Sequence, residues 1–186
     1  MTRSRPFFHG TILSRISENL EAEEGSCLDS FKVDLAKCKS RTDFGKGFYL
    51  TSSLDQAKNW ANVLLHRLLF RRRGEVIVDK AVVLEFVLNS EELAKLDNLW
   101  FVRPEHNFHS FVARCREHDV WHKENKNSPP YDTVAGPVTL YPQEQLVHDA
   151  DQFSFHTSRA ASILNTPTIR SLGSFETGKF QTAYMH

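Results

Sequence analysis

Residues 43–51 read Asp-Phe-Gly-Lys-Gly-Phe-Tyr-Leu-Thr. Gly45 and Gly47 mark a turn where the backbone either takes positive φ or lets a neighbour come close. Phe48, Tyr49, Leu50 and Thr51 are aromatic or β-compatible and predict a short strand. Ser52 and Ser53 follow as helix caps, with Gln56 three residues beyond Ser53 as in a capping box. A glycine turn, a short strand and a capped helix in succession form a ligand-facing corner in many folds, and ordinary turn chemistry yields the same string.

Around this corner the chain alternates strand and helix signals. Residues 5–11 predict a first strand ending in a glycine turn. Residues 14–24 predict a short helix, and 27–39 are irregular or helical. Residues 54–72 carry Leu54, Ala57, Ala61, Leu64, Leu65 and Leu68 at helical spacing, ending in Arg71, Arg72 and Arg73 with Gly74 as the stop. The runs 76–78 and 81–88 are dense in β-branched residues and predict buried strands. Ser90 caps a short helix over 91–96. A second amphipathic helix over 104–118 presents Phe108, Phe111, Val112 and Cys115 on one face. A polar loop over 122–130, a strand over 131–138, a half-buried strand over 152–157 and a short helix to 164 complete the pattern. This order of elements predicts an α+β fold. The expected domain is a single one over 1–165, with a Ser/Thr/Gly-rich tail over 166–186 that is loosely packed or disordered.

The bulk composition excludes the cruder function classes. Lys and Arg number 23 and Asp and Glu 23 among 186 residues, so the chain is not a polycation aimed at nucleic acid or a membrane surface. The three cysteines are widely spaced and form no CxxC pair, which points to free thiols in a reducing compartment. The first residues do not read as a signal peptide, and the apolar region near 63–70 is too short to span a bilayer. The expectation is a cytoplasmic protein without a membrane partner; a toxin delivered by another route would have the same composition. Walker, GxGxxG, GxSxG and HExxH motifs are absent. His118 and His122 have the spacing of helical metal ligands but no third ligand, so they read as surface histidines, and no metal is expected. The arginines at 71–73 read as a solvated helix end, with a phosphate-facing patch as the alternative.

Three short motifs remain: Phe8-His9-Gly10-Thr11, Gly47-Phe48-Tyr49-Leu50-Thr51 and Gln152-Phe153-Ser154-Phe155-His156-Thr157. Taken singly, His9 is a strand-end histidine, Tyr49 a core tyrosine and Gln152 a surface amide. Together, and in this order, they resemble the His-Tyr-Glu clade of the ADP-ribosyltransferase superfamily. The nearer resemblance is to an uncharacterised bacterial subgroup of it, through residues 43–51, Gln56-Ala57 and Trp60-Ala61 on the following helix, Tyr131-Asp-Thr-Val-Ala-Gly-Pro-Val138, and the late Gln152-x-x-Phe-x-Thr157. It covers 7–164, and the block 43–61 is its specific part.

The resemblance implies a split β-sandwich of two small sheets with flanking helices around an NAD cleft. It further implies that NAD is the co-substrate and that His9, Tyr49 and Gln152 are the catalytic set. His9 would hydrogen-bond the adenosine ribose. Gly10 would let the backbone reach the nicotinamide carboxamide. Tyr49 would stack on the nicotinamide ring, an interaction worth about 1 kcal/mol beyond area burial. Thr11, Gly47, Phe48 and Thr51 complete the cofactor wall, and Arg41 with Asp43 either braces the second motif or touches the NAD phosphates. The implied activity is mono-ADP-ribosyl transfer to a macromolecular target, protein or nucleic acid, by a bacterial toxin or defence effector. An antitoxin or immunity protein is the expected restraint. Gln152 departs from the superfamily glutamate. An amide accepts a hydrogen bond from a ribose hydroxyl but is no general base, which leaves Glu144, Asp149, Asp151 or the target to activate the acceptor. An NAD glycohydrolase and a catalytically silent NAD-binding module are the alternatives.

Overall fold

The computed structural model describes residues 4–16, 22–76, 78–118 and 131–175. In chain order the elements are β1 (Ser4–Ile12), β2 (Phe48–Leu50), α1 (Leu54–Arg71), β3 (Ala81–Asn89), α2 (Ser90–Ala94), β4 (Asn98–Trp100), α3 (His106–His118), β5 (Thr133–Thr139), β6 (Leu146–Phe155), α4 (Ser158–Ser162) and β7 (Thr168–Gly173). The class is α+β with two small sheets. Where a single domain over 1–165 is expected, two compact units each draw on separate stretches of chain. Of the described residues, the first unit holds 4–5, 32–50, 88–118 and 131–165, and the second holds 6–16, 22–31, 51–76, 78–87 and 166–175.

The first unit is built on a four-stranded sheet of order β2-β6-β5-β4, antiparallel except for the parallel pair β4 and β5. Tyr49, Ser154, Val134 and Leu99 lie opposite one another across the four strands and so share a face. Phe108, Phe111, Val112 and Cys115, the predicted apolar face of α3, are buried with Phe44 and Val134, and Tyr49, Leu99, Phe101 and Tyr131 pack at the margin. Gly136 makes this close packing feasible. A Cβ there would stand 3.1 Å from Phe101 Cβ, 3.2 Å from the Phe44 ring and 3.3 Å from the Phe108 ring. At the end of the sheet the buried Asp132 accepts from the Asp97 N–H at 3.0 Å and from the Thr157 hydroxyl, and pairs with Arg159 at 3.5 Å. Thr157 caps α4 by accepting the Ala160 N–H at 3.0 Å.

The second unit carries the sheet β1-β3-β7, with β3 antiparallel to β7 and a register shift between Val83 and Leu84. Ala57, Ala61 and Leu65 of α1 pack with Phe8, Ile12, Ala81 and Val83. Ser53 caps α1 by accepting the Gln56 N–H at 3.2 Å. The reciprocal half of the capping box is replaced: the Ser53 N–H goes to Thr51 Oγ1 at 3.1 Å, and Thr51 donates to Gln56 Oε1 at 3.0 Å. Asn62 grips the backbone of Phe175 from both sides, donating to its carbonyl at 2.7 Å and accepting its N–H at 3.2 Å. The helix ends as predicted, with Gly74 at φ +99° just beyond it.

Several expectations need correction. Val76 and Val78 are in no strand and are 97% and 70% exposed, and Ile77 lies outside the described residues. Strand propensity expresses packing on a pleated surface, and these side chains have none. At the start of the helix expected over 14–24, Leu13–Arg15 make one 3₁₀ turn, Ser14 binds the Asp79 carboxylate through its N–H at 3.1 Å and its hydroxyl at 2.5 Å, and residues 22–24 are not helical. Residues 17–21 lie outside the described residues, as do the expected loop over 122–130 and His122. The supposed tail contains β7. Its Ile169 is 1% exposed, and Arg170 pairs with Glu85 of β3 at 3.4 Å. The rest of the tail, from 176 on, is outside the described residues.

Gly10 provides a test of the second unit. A Cβ there would lie 2.1 Å from the Ala57 carbonyl oxygen, a backbone atom that no rotamer change can remove. Gly10→Ala should lower the unfolding free energy by at least about 2 kcal/mol, read from the urea midpoint. Gly25→Ala, at φ +85° but in open space, should cost only the roughly 1–2 kcal/mol of the left-handed backbone. An unchanged midpoint for Gly10→Ala would contradict the packing of β1 on α1.

Candidate functional site

The first unit contains a buried polar network centred on the carboxylate of Asp43, which is 3% exposed. Its Oδ1 accepts from Arg116 of α3 through Nε at 2.9 Å and Nη2 at 2.5 Å. Its Oδ2 accepts from the Thr139 N–H at 3.2 Å and from Gln152 Nε2 at 2.7 Å. Gln152 donates its other amide hydrogen to the Pro137 carbonyl at 3.0 Å. Arg116 donates further to the Arg41 carbonyl at 3.2 Å and stands 5.7 Å from the centre of the Tyr141 ring. A carboxylate this deep is tolerable only when its lone pairs are matched, and here four donors match them.

The turn that carries Asp43 is fastened by Tyr49. The phenol oxygen accepts from Thr42 Oγ1 at 2.8 Å and from the Phe44 N–H at 3.0 Å, and it donates to the Gly45 carbonyl at 2.8 Å. Gly45 takes φ +80°, as the turn requires, and Arg41 takes φ +56°. The Tyr49 ring stacks on Phe44 at 6.4 Å and meets His156 edge-on at 6.5 Å. Burial pushes the phenol far above the ordinary tyrosine value; hydrogen bonds from Thr42 and the Phe44 N–H oppose the push, and the Asp43 carboxylate and Cys115 thiol add to it. Beside it His156, 2% exposed, reaches the Lys46 carbonyl through Nδ1 at 2.9 Å and Ser154 Oγ through Nε2 at 2.7 Å. A carbonyl only accepts, so Nδ1 carries a proton there. Gly47 makes room for this ring, since a Cβ would lie 2.7 Å from Nδ1.

Of the sequence-predicted site residues, Arg41, Gly47, Phe48, Tyr49 and Gln152 belong to the first unit, and His9, Gly10, Thr11 and Thr51 to the second. Tyr49 and Gln152 meet through the Asp43 turn. Phe48 is buried opposite Phe155. Within the second unit, Thr11 is buried and His9 partly buried on β1, Gly10 lies under α1, and the Thr51 hydroxyl is engaged at the helix N-terminus. Arg41 is exposed and contributes its carbonyl to the network. Asp149 and Asp151 line an open hollow of about 460 Å³ with Pro137, Leu146, Val147, His148 and Ala150. Among the described residues no His, Cys, Asp and Glu side chains group as metal ligands, and two buried polar atoms, Asn59 Nδ2 and Thr139 Oγ1, have no partner. The sequence reading missed Arg116, Ser154 and His156. The last two were legible as the polar half of an alternating strand, taken for its solvent face; Arg116 carried no signal.

A protein-family model described as "Protein of unknown function (DUF3990)" matches residues 24–140, more than half of the chain. The chain belongs to this family. The DUF3990 match includes the Asp43 turn, α3 with Arg116, and β5, and stops short of Gln152. No curated protein and no solved structure matches the chain.

Tyr49 yields a measurable alkaline signature. In the folded chain the phenol stays protonated, while in the unfolded chain it ionises near the ordinary value of about 10. Its contribution to stability is therefore present below that pH and is lost as pH rises above it. Between about pH 10 and 11.5 the protein should lose roughly 1.4 kcal/mol per pH unit more than Tyr49→Phe does. At neutral pH Tyr49→Phe should itself be about 1–3 kcal/mol less stable, because the Phe44 N–H loses the hydroxyl that accepts it, while the Thr42 hydroxyl and the Gly45 carbonyl keep their bond to each other at 2.5 Å. Denaturant midpoints at the two pH values measure both effects, and parallel pH slopes would show that the phenol is solvated.

Proposed function

We propose that this DUF3990 protein is an NAD-dependent mono-ADP-ribosyltransferase with a split β-sandwich fold, acting as a bacterial toxin or defence effector on a protein or nucleic acid. The observation that carries the reading is the fixed amide of Gln152. With both hydrogens engaged by Asp43 and Pro137, its Oε1 is the atom left to act as acceptor, at the position where the family resemblance expects contact with the NAD ribose. Tyr49, the expected nicotinamide platform, lies beside it on the neighbouring strand with its hydroxyl tied down. In this reading the bond from ribose C1′ to nicotinamide breaks and its electron pair leaves with nicotinamide. The acceptor nucleophile then bonds to C1′ and gives up its proton to Asp149, Asp151, Glu144 or a group of the target. Gln152 orients the ribose hydroxyl, which favours the oxocarbenium-like transition state if the contact tightens as charge develops. His9 holds the adenosine ribose.

Hydrolysis by water is the second reading, favoured by the neutral side chain at 152, which selects no acceptor by proton abstraction. Labelled NAD incubated with the protein and a cell lysate separates these outcomes. Nicotinamide release with label in protein or RNA is expected; release with only free ADP-ribose indicates the glycohydrolase, and binding without release a silent module. Gln152→Ala and His9→Ala should each slow nicotinamide release by on the order of 10²-fold. Release that is undiminished in both variants would end the proposal.

A further inference from the structure

We infer that Asp43 is a positioning residue that makes position 152 an obligate neutral acceptor, so that the ligand group recognised there is a hydrogen-bond donor. The amide of Gln152 faces two oxygens that only accept, Asp43 Oδ2 at 2.7 Å and the Pro137 carbonyl at 3.0 Å. Flipping the amide would set its own oxygen against both and remove two hydrogen bonds, one of them to a charged group. Asp43 is itself held by Arg116 and the Thr139 N–H, so it cannot turn away to relieve the clash. A glutamate at 152 would meet the same two oxygens and would have to keep its proton to remain there. Glutamine is thus the residue this surrounding selects, not a glutamate whose charge has been lost.

The charged groups around the position are Asp43 from the turn and Arg116 from α3, with Asp151 adjacent on β6 and pointing to its other face by strand alternation. Tyr49 and His156, the nearby titratable groups, are bonded to the 42–46 turn. That the recognised donor is a ribose hydroxyl of NAD rests on the function proposed above; the wiring of the amide does not.

The test uses the full chain. Nuclear magnetic resonance of the Gln152 side-chain NH₂ should show both protons protected from exchange, with protection lost in Asp43→Asn. Gln152→Glu should melt below the unaltered protein by a margin that widens from about pH 5 to 8, because the new carboxyl stays protonated only when folded and its unfolded value is about 4.3. In the double variant that combines Asp43→Asn with Gln152→Glu, the introduced asparagine can donate from its amide to the new carboxylate, and most of this pH dependence should vanish. Rapid exchange of the Gln152 amide protons in the unaltered protein, or a pH-independent melting deficit in Gln152→Glu, would overturn the inference. In a calorimetric arm, an NAD analogue lacking the nicotinamide-ribose 2′-hydroxyl should bind at least about 10-fold more weakly than NAD. Equal binding overturns the ribose hydroxyl as the donor. No binding of NAD alongside a protected amide leaves the wiring standing and overturns the NAD reading.

Discussion

A carboxylate taken out of water has to be given back, within the protein, the hydrogen bonds that water supplied. Asp43 meets that condition with Arg116 from α3, the Thr139 N–H from β5 and the Gln152 amide from β6. Removing Arg116, the one charged partner, would strand a buried charge, a loss of about 3–5 kcal/mol that is a large share of a typical domain's stability. The turn, the helix and the two strands are therefore held in one mutual arrangement by requirement, and the aromatic cluster of Phe44, Phe108 and Phe111 packs within the frame so defined. Arg116 suits the task because Nε and Nη2 of its planar guanidinium converge on the single oxygen Oδ1, leaving Oδ2 to neutral donors, while Nη1 reaches the Arg41 carbonyl.

Three glycines show how little room surrounds the signature residues. Gly47 admits His156, Gly136 admits three phenylalanines, and Gly10 admits the backbone of α1. The first and third stand in motifs that the sequence associates with a bound cofactor, yet each already has a sufficient cause in the packing of the chain on itself. A short motif of this kind carries two constraints at once, and a family signature does not separate them.

The strands and helices with clear periodicity were readable. The apolar faces of α1 and α3, the Ser53 cap and the Gly45 turn all follow from local chemistry, because the deciding partners lie within four or five residues. What escaped was decided by distant partners. Gln152, Ser154 and His156 look like a wet face because they are polar; they are buried because Asp43, Val134 and Lys46 supply their hydrogen bonds from elsewhere in the chain. β7 hid behind Ser, Thr and Gly, its alternation resting on Ile169 and Ser171, while Val76 and Val78 showed the opposite failure. Of the candidate site, Tyr49 and Gln152 were identified and Asp43 was read as a candidate brace of the second motif, but its bonds to Gln152 and Arg116 were not, since nothing local marks partners 73 and 109 positions away.

The distances along the chain between Asp43 and its donors have a consequence for assembly. Arg116, Thr139 and Gln152 follow it by 73, 96 and 109 positions. Each closure spans a long loop, so these contacts raise the contact order, a feature of slowly folding topologies. On a ribosome, the carboxylate must wait in water until β6 has emerged, because an incomplete set of donors would not compensate its dehydration. The last hydrogen bond needed to bury Asp43 is also the one that orients Gln152. Closure of the Asp43 network and orientation of Gln152 are thus the same event, and a nascent chain short of β6 has neither.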